Sequence, residues 1–252
     1  MARRKLTAEA VGTAFLLMAI VGSGILAIRL NPNDIALAVL VNAIVTGGAL
    51  VALINAFGPV SGCHINPAVT LSSYLLGGIS GRLALGYVAA QVLGALAGTA
   101  LAHIMFSLPL FELGQTARSG AGVFTAEFIA TLGLIGVILG ALRGGSPHVS
   151  FSVGAYILAA IFFTSSTAFA NPAVTIARAL TDTLTGIRWQ DALIFVPVEL
   201  LAAVAATYLF RFLYPGLPEE AGEVILPHPV EEEDSAQLPA LAAPAKVPAG
   251  RT

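Results

Sequence analysis

Six stretches of nearly continuous apolar residues, roughly 7–28, 34–56, 84–106, 123–142, 150–168 and 192–213, run the length of the chain. Each approaches the roughly 20 residues that a helix needs to cross a hydrocarbon core, so each predicts a membrane span. Two of the gaps hold shorter apolar helical patterns, Val69 to Leu76 between spans two and three and Val174 to Leu180 between spans five and six. Both are introduced by the same triplet, Asn66-Pro67-Ala68 and Asn171-Pro172-Ala173. Asn is a favoured N-cap and Pro is at home in the first turn, so each triplet predicts a helix start. A helix of about three turns cannot cross the bilayer. Two such half-helices, placed alike in two halves of a membrane chain, point to a solute site near the midplane.

The halves are related throughout. Glu9-Ala-Val-Gly-Thr13 returns as Glu127-Phe-Ile-Ala-Thr131, and Gln91-Val-Leu-Gly-Ala-Leu-Ala-Gly-Thr99 as Glu199-Leu-Leu-Ala-Ala-Val-Ala-Ala-Thr207. The offsets are 118 and 108 residues, against 105 for the Asn-Pro-Ala copies. Repeat one covers about 5–115 and repeat two about 120–214. Three spans per repeat is an odd number, so the second copy must lie inverted, with one half-helix entering from each face and their N-termini meeting. The predicted fold is an all-α membrane protein of six transmembrane helices and two re-entrant half-helices in an inverted 3+3 repeat. Gly94 and Gly98, with Ala202 and Ala206, supply the small faces that let such helices pack closely.

Composition agrees: 57% of the 252 residues are hydrophobic and 10% charged, against about 25% charged in soluble domains. Seven of the fourteen acidic residues and seven of the fourteen prolines fall after Tyr214. The membrane part is thus residues 1–214, and 215–252 reads as a disordered, acidic, Pro-rich cytoplasmic tail. The apolar run after Arg3, Arg4 and Lys5 lacks a clear small-residue cleavage site, so it reads as a first span rather than a removed signal peptide. Six spans put both ends on one side. Arg3, Arg4, Lys5, Arg82, Arg143 and Arg211 would share it, against Arg29, Arg118, Arg178 and Arg188, which favours cytoplasmic termini and a multi-pass cell-membrane protein. The only cysteine, Cys63, excludes an intrachain disulfide.

The paired triplets, the loop Ser61-Gly-Cys-His-Ile-Asn-Pro-Ala-Val-Thr70 and a Glu near the start of each repeat resemble the aquaporin (major intrinsic protein) family over about residues 5–214. The resemblance implies a homotetramer in the lipid bilayer, each protomer with its own pore for water or small neutral solutes. It also implies that Glu9 and Glu127 accept hydrogen bonds from the re-entrant loops and that His64 helps to hold the first loop and line the pore. For His64 a packed, hydrogen-bonded residue is the competing reading, and for Cys63 a small buried hydrophobe competes with a pore-facing thiol. Glu199, paired by repeat with Gln91, is assigned either to the cytoplasmic mouth or to a half-helix loop. Trp189 and Tyr214 sit at span ends, as interfacial anchors do.

One departure bears on selectivity. In water and glycerol channels of this family an Arg usually follows the second triplet, where this chain has Val174; the Asp that follows that Arg in glycerol-type members is absent too. By the family's spacing the other filter positions fall on Thr46, Ala159 and Ala168. The expected filter, Thr46, Ala159, Ala168 and Val174, is small, weakly polar and uncharged. It implies a wide constriction for solutes larger than water, with metalloid (arsenic) acids a specific expectation. Arg178, one turn beyond Val174, is assigned either to the outer vestibule or to a structural pair with Asp182.

The physics of the motif stands apart from the resemblance. Each helix N-terminus carries free N–H groups and about half a positive charge. Two of them tip to tip repel cations, and Asn66 and Asn171 add amide donors that take the oxygen of a passing water, breaking the donor chain a hopping proton needs. A secondary transporter is the competing membrane class, since inverted repeats with broken helices also build carriers. An ordinary water channel is the competing pore. The histidines (His64, His103, His148, His228) show no metal-ligand spacing and no nucleophile–base pair stands out, so neither metal, cofactor nor enzymatic chemistry is expected. A net charge of −2 without a basic patch gives nucleic-acid binding no support.

Overall fold

The computed structural model describes residues 2–143 and 148–216. Eight helices run through them: α1 Ala2–Leu30, α2 Ile35–Ser61, α3 Pro67–Leu76, α4 Gly81–Met105, α5 Ala121–Arg143, α6 Val149–Phe163, α7 Pro172–Arg178 and α8 Trp189–Leu213. Five of these (α1, α2, α4, α5 and α8) are long and apolar enough to cross a membrane. The acidic tail expected at 215–252 lies, from residue 217 on, outside the described residues.

The predicted span over 150–168 is helical only as far as Phe163. Thr164 closes it in an extended conformation, its hydroxyl turned back onto the Ala160 carbonyl at 2.6 Å. The fifteen residues of α6 reach about 22 Å, short of the hydrocarbon thickness, and a folded-back loop takes the chain on to Asn171. The second half-helix is also shorter than its apolar pattern, seven residues ending at Arg178. The chain leaving it pairs instead with the α4–α5 loop, where Glu112 N–H donates to the Leu180 carbonyl (3.1 Å) and Gly114 N–H to that of Ala179 (3.0 Å).

The inverted repeat shows in the packing. α1 lies against α2 and α4, and α5 likewise against α6 and α8. The half-helices cross over, α3 resting on α8 and α7 on α4, while α2 meets α6 at the seam. Small residues set these distances: a methyl at Gly94 or Gly98 would overlap the carbonyls of Ala10 and Ala14 on α1, and Gly47 and Gly154 meet backbone to backbone between α2 and α6. Ala202 and Ala206 are fully buried on α8. Trp189 and Tyr214 lie exposed at the two ends of α8.

Candidate functional site

The two triplets meet. Asn66 caps α3 by accepting from the Ala68 N–H at 2.8 Å, and Asn171 caps α7 by accepting from Ala173 N–H at 3.1 Å. Pro67 and Pro172 occupy the first turns and Ala68 and Ala173 are fully buried beneath them. Each Asn then reaches across: Asn66 Nδ2 donates to the Ala170 carbonyl at 2.7 Å, and Asn171 Nδ2 to the Ile65 carbonyl at 2.8 Å. These crossed bonds lock the helix tips together. A primary amide has two N–H donors, so each Asn keeps one beyond the bond that positions it.

The loops before the triplets fold alike because their strain is alike. Cys63 and Ile65 have φ of 48° and 42°, and their repeat counterparts Ala168 and Ala170 have 47° and 48°. Non-glycine residues rarely adopt this left-handed region, and such outliers persist only where surroundings over-determine them. Here carboxylates do so. Glu9 accepts from Ser61 Oγ (2.6 Å), His64 N–H (3.0 Å), Ile65 N–H (2.7 Å) and Gln91 Nε2 (2.7 Å). Glu127 accepts from Phe169 N–H at 3.2 Å and from Ala170 N–H. Glu199 lies at the loop and not at a mouth: fully buried, it accepts from Asn171 N–H (3.1 Å) and Thr175 Oγ1 (2.6 Å).

A narrow cavity of about 50 Å³ runs past these tips, bordered by Asn66, Asn171, His64, Thr46, Ala168, Val174 and Arg178. His64 meets both readings made of it: it borders the cavity while buried, its Nδ1 3.1 Å from Thr70 Oγ1 and its ring edge-on to Tyr87. Cys63 is buried at the cavity wall, its thiol donating to the Leu53 carbonyl at 3.4 Å. Thr46 brings a buried hydroxyl with no protein partner.

Ala159 does not join them. It is exposed on the outer flank of α6, which turns Val153, Ile157 and Ile161 to the cavity instead. The family's spacing carried through a helix that ends early places the side chain on the wrong face, so the fifth-span contribution is a bulky aliphatic.

A guanidinium also borders the cavity. Arg178 borders the cavity, with Nε donating to the Thr185 carbonyl and its guanidinium carbon 3.4 Å from the centre of the Phe169 ring. Its conjectured partner Asp182 is turned away, accepting from Gln115 N–H at 3.0 Å. Phe169 also carries Arg118 at 5.1 Å. Arg118 staples the α4–α5 loop to the loops on either side of α7 through the Gly186 carbonyl (2.9 Å), Thr167 Oγ1 (3.1 Å) and the Ser166 and Leu184 carbonyls (both 3.3 Å). Burial pushes its pKa down to about 10 against the pull of Glu127, which leaves it charged at neutral pH.

Asn42, Ile157, Phe169 and the stapling role of Arg118 escaped the sequence reading. Asn42 lies one turn before Thr46 on the same cavity face, so a polar i, i+4 pair in an apolar span was the available signal. The other three needed tertiary placement.

Among known proteins, the family model for major intrinsic protein matches residues 1–146. Aquaglyceroporin AqpS of Rhizobium meliloti is 49% identical over 83% of this chain and 90% of its own. The probable aquaporin AqpM of Archaeoglobus fulgidus is 32% identical over 83% and 96%. The solved aquaglyceroporin of Plasmodium falciparum superposes with a TM-score of 0.64 over 86% of this chain and 99% of that one, at 19% identity, which supports the fold. Crossed half-helices, capped triplets and these relatives agree: the chain belongs to the major intrinsic protein family, as an integral membrane channel for water and small neutral solutes and not an enzyme.

Proposed function

We propose a passive cell-membrane channel, homotetrameric and with both termini cytoplasmic, that conducts water and small neutral solutes including metalloid hydroxyacids, arsenicals among them. The observation that carries this reading is Val174 beside the cavity with Thr46 and Ala168, where the family's water and glycerol channels usually place Arg. With Arg178 held one turn outward by Thr185 and Phe169, a solute passing Val174 meets a neutral wall and the free Thr46 hydroxyl. A charge at the filter would compete for oxygen-rich solutes and narrow the path; an uncharged one lets neutral acids through by size. The aliphatic lining by Ile157 and Ile161 and the small cavity favour the alternative, an ordinary water channel.

Stopped-flow permeability of proteoliposomes separates the two. The wild type is expected to pass water, urea and undissociated arsenic acids above empty vesicles, and Val174→Arg to lose the larger solutes by about tenfold, a barrier change of about 1.4 kcal/mol, before it loses water. Water flux with no uptake of any larger solute leaves the water-channel reading; unchanged selectivity in Val174→Arg moves the constriction elsewhere.

A further inference from the structure

The two carboxylate clusters follow one plan with one substitution. In repeat one, Glu9 receives Ser61, two consecutive loop N–H groups and, as its fourth donor, the side-chain amide of Gln91. The same Gln91 nitrogen lies 3.0 Å from Thr70 Oγ1 on the half-helix. In repeat two, Glu127 receives the N–H groups of Phe169 and Ala170, with Ser166, the counterpart of Ser61, beside it. Thr175, the counterpart of Thr70, donates at 2.6 Å to the residue that replaces Gln91, Glu199. Where an amide donor belongs there is a second carboxyl, fully buried and facing the first.

Only one of the Glu199 oxygens is occupied. Oε1 accepts from Asn171 N–H and Thr175 Oγ1, while Oε2 is sealed from solvent and receives no N–H or O–H from any other described group. The charged groups around the pair are Arg178 on α7 and Arg118 in the α4–α5 loop, and the neutral phenol of Tyr156 on α6 also lies near Glu127. Both arginines lie within the field of the carboxyls, but neither donates a hydrogen bond to them: Arg178 donates to Thr185, and Arg118 to the carbonyls of Gly186, Ser166 and Leu184 and to the Thr167 hydroxyl. Two facing carboxylates, one with a bare buried oxygen, would repel each other in a medium of low dielectric constant, and such pairs hold a proton between them.

We propose that Glu199 is carried as the neutral acid, its Oε2–H standing in for the Gln91 amide as the fourth donor to the Glu127 carboxylate. Glu199 is then a positioning residue. Through Oε1 it holds the Asn171 N–H and the first turn of α7; through the proton on Oε2 it ties them to the carboxylate that fixes Phe169 and Ala170. A neutral Glu199 also spares the N-terminus of α7 a second negative charge, which would offset the partial positive charge that turns cations back.

Infrared spectroscopy and permeability of the full-length protein in proteoliposomes test this. At neutral pH the wild type should show the C=O stretch of a protonated, dehydrated carboxyl that is missing from Glu199→Gln. That variant, whose amide reproduces the donor of repeat one, should keep its water permeability, while Glu199→Ala loses at least about tenfold. A wild-type spectrum without the acid band, or a band that survives Glu199→Gln, overturns the assignment whatever the variants' flux. So does a Glu199→Gln channel as impaired as Glu199→Ala, since a required negative charge is then what Glu199 supplies. None of these outcomes depends on which solute beyond water the pore prefers.

Discussion

A β-branched residue at φ 42°, as Ile65 is, must be held there against a cost of about 1–3 kcal/mol, and Glu9 supplies the hold with its second oxygen on the Ile65 N–H. All four positions around the Glu9 carboxylate are taken by donors, so its role needs acceptors only. Glu9→Gln therefore turns one acceptor into a donor that faces another donor. It should lower water permeability by at least about tenfold and reduce the thermal midpoint, through the loss of charge-assisted bonds worth about 1.5–3 kcal/mol each. The same change at position 199 is expected to be silent, and stopped-flow traces of the two variants side by side make the comparison. At this scale the sequence pointed to both triplets, His64, Glu9 and Glu127, because motif and repeat name them. It could not orient Ala159, whose face depends on where α6 stops, nor explain Glu199, whose meaning lies in what Glu127 lacks.

The six-span pattern predicted the long helices well because a bilayer demands an apolar length and little else does. It overran at α6 and α7: the predicted span ran on to 168 although Thr164-Ser-Ser-Thr167 already forms a loop, and the predicted half-helix ran to Leu180 although α7 ends at Arg178. Contact between helices was legible through small residues, and it is testable on two glycines of opposite surroundings. A methyl at Gly94 would overlap the Ala10 carbonyl on α1, so Gly94→Ala forces the α1–α4 pair apart. The expected cost is about 1–3 kcal/mol, read as an earlier loss of fluorescence-detected size-exclusion signal on heating. Gly48→Ala on α2 meets open space and should be neutral or stabilising by about 0.5–1 kcal/mol, since Ala is the better helix former. Equal behaviour of the two variants would mean that helix propensity rather than interhelical distance governs stability here.

Taken as a whole, the molecule places two helix N-termini against each other at the middle of one path, tied by Asn66 to the Ala170 carbonyl and by Asn171 to that of Ile65. The inverted repeat makes the two tips electrostatically alike, each with about half a positive charge, so on the proposed reading a barrier to cations belongs to the pair rather than to either motif. Asp is as good an N-cap as Asn, so Asn66→Asp and Asn171→Asp should keep α3 and α7 folded while placing a negative charge at the tip and removing the crossed amide bond. Each is expected to admit protons or alkali cations that the wild type excludes, measured with a pH-reporting dye in vesicles under an imposed gradient and a potassium shunt. By symmetry both should leak to a similar degree. A leak in one variant alone would assign the barrier to a single half, and no leak in either would move it outward to Arg178, the guanidinium that borders the same path one turn beyond Val174.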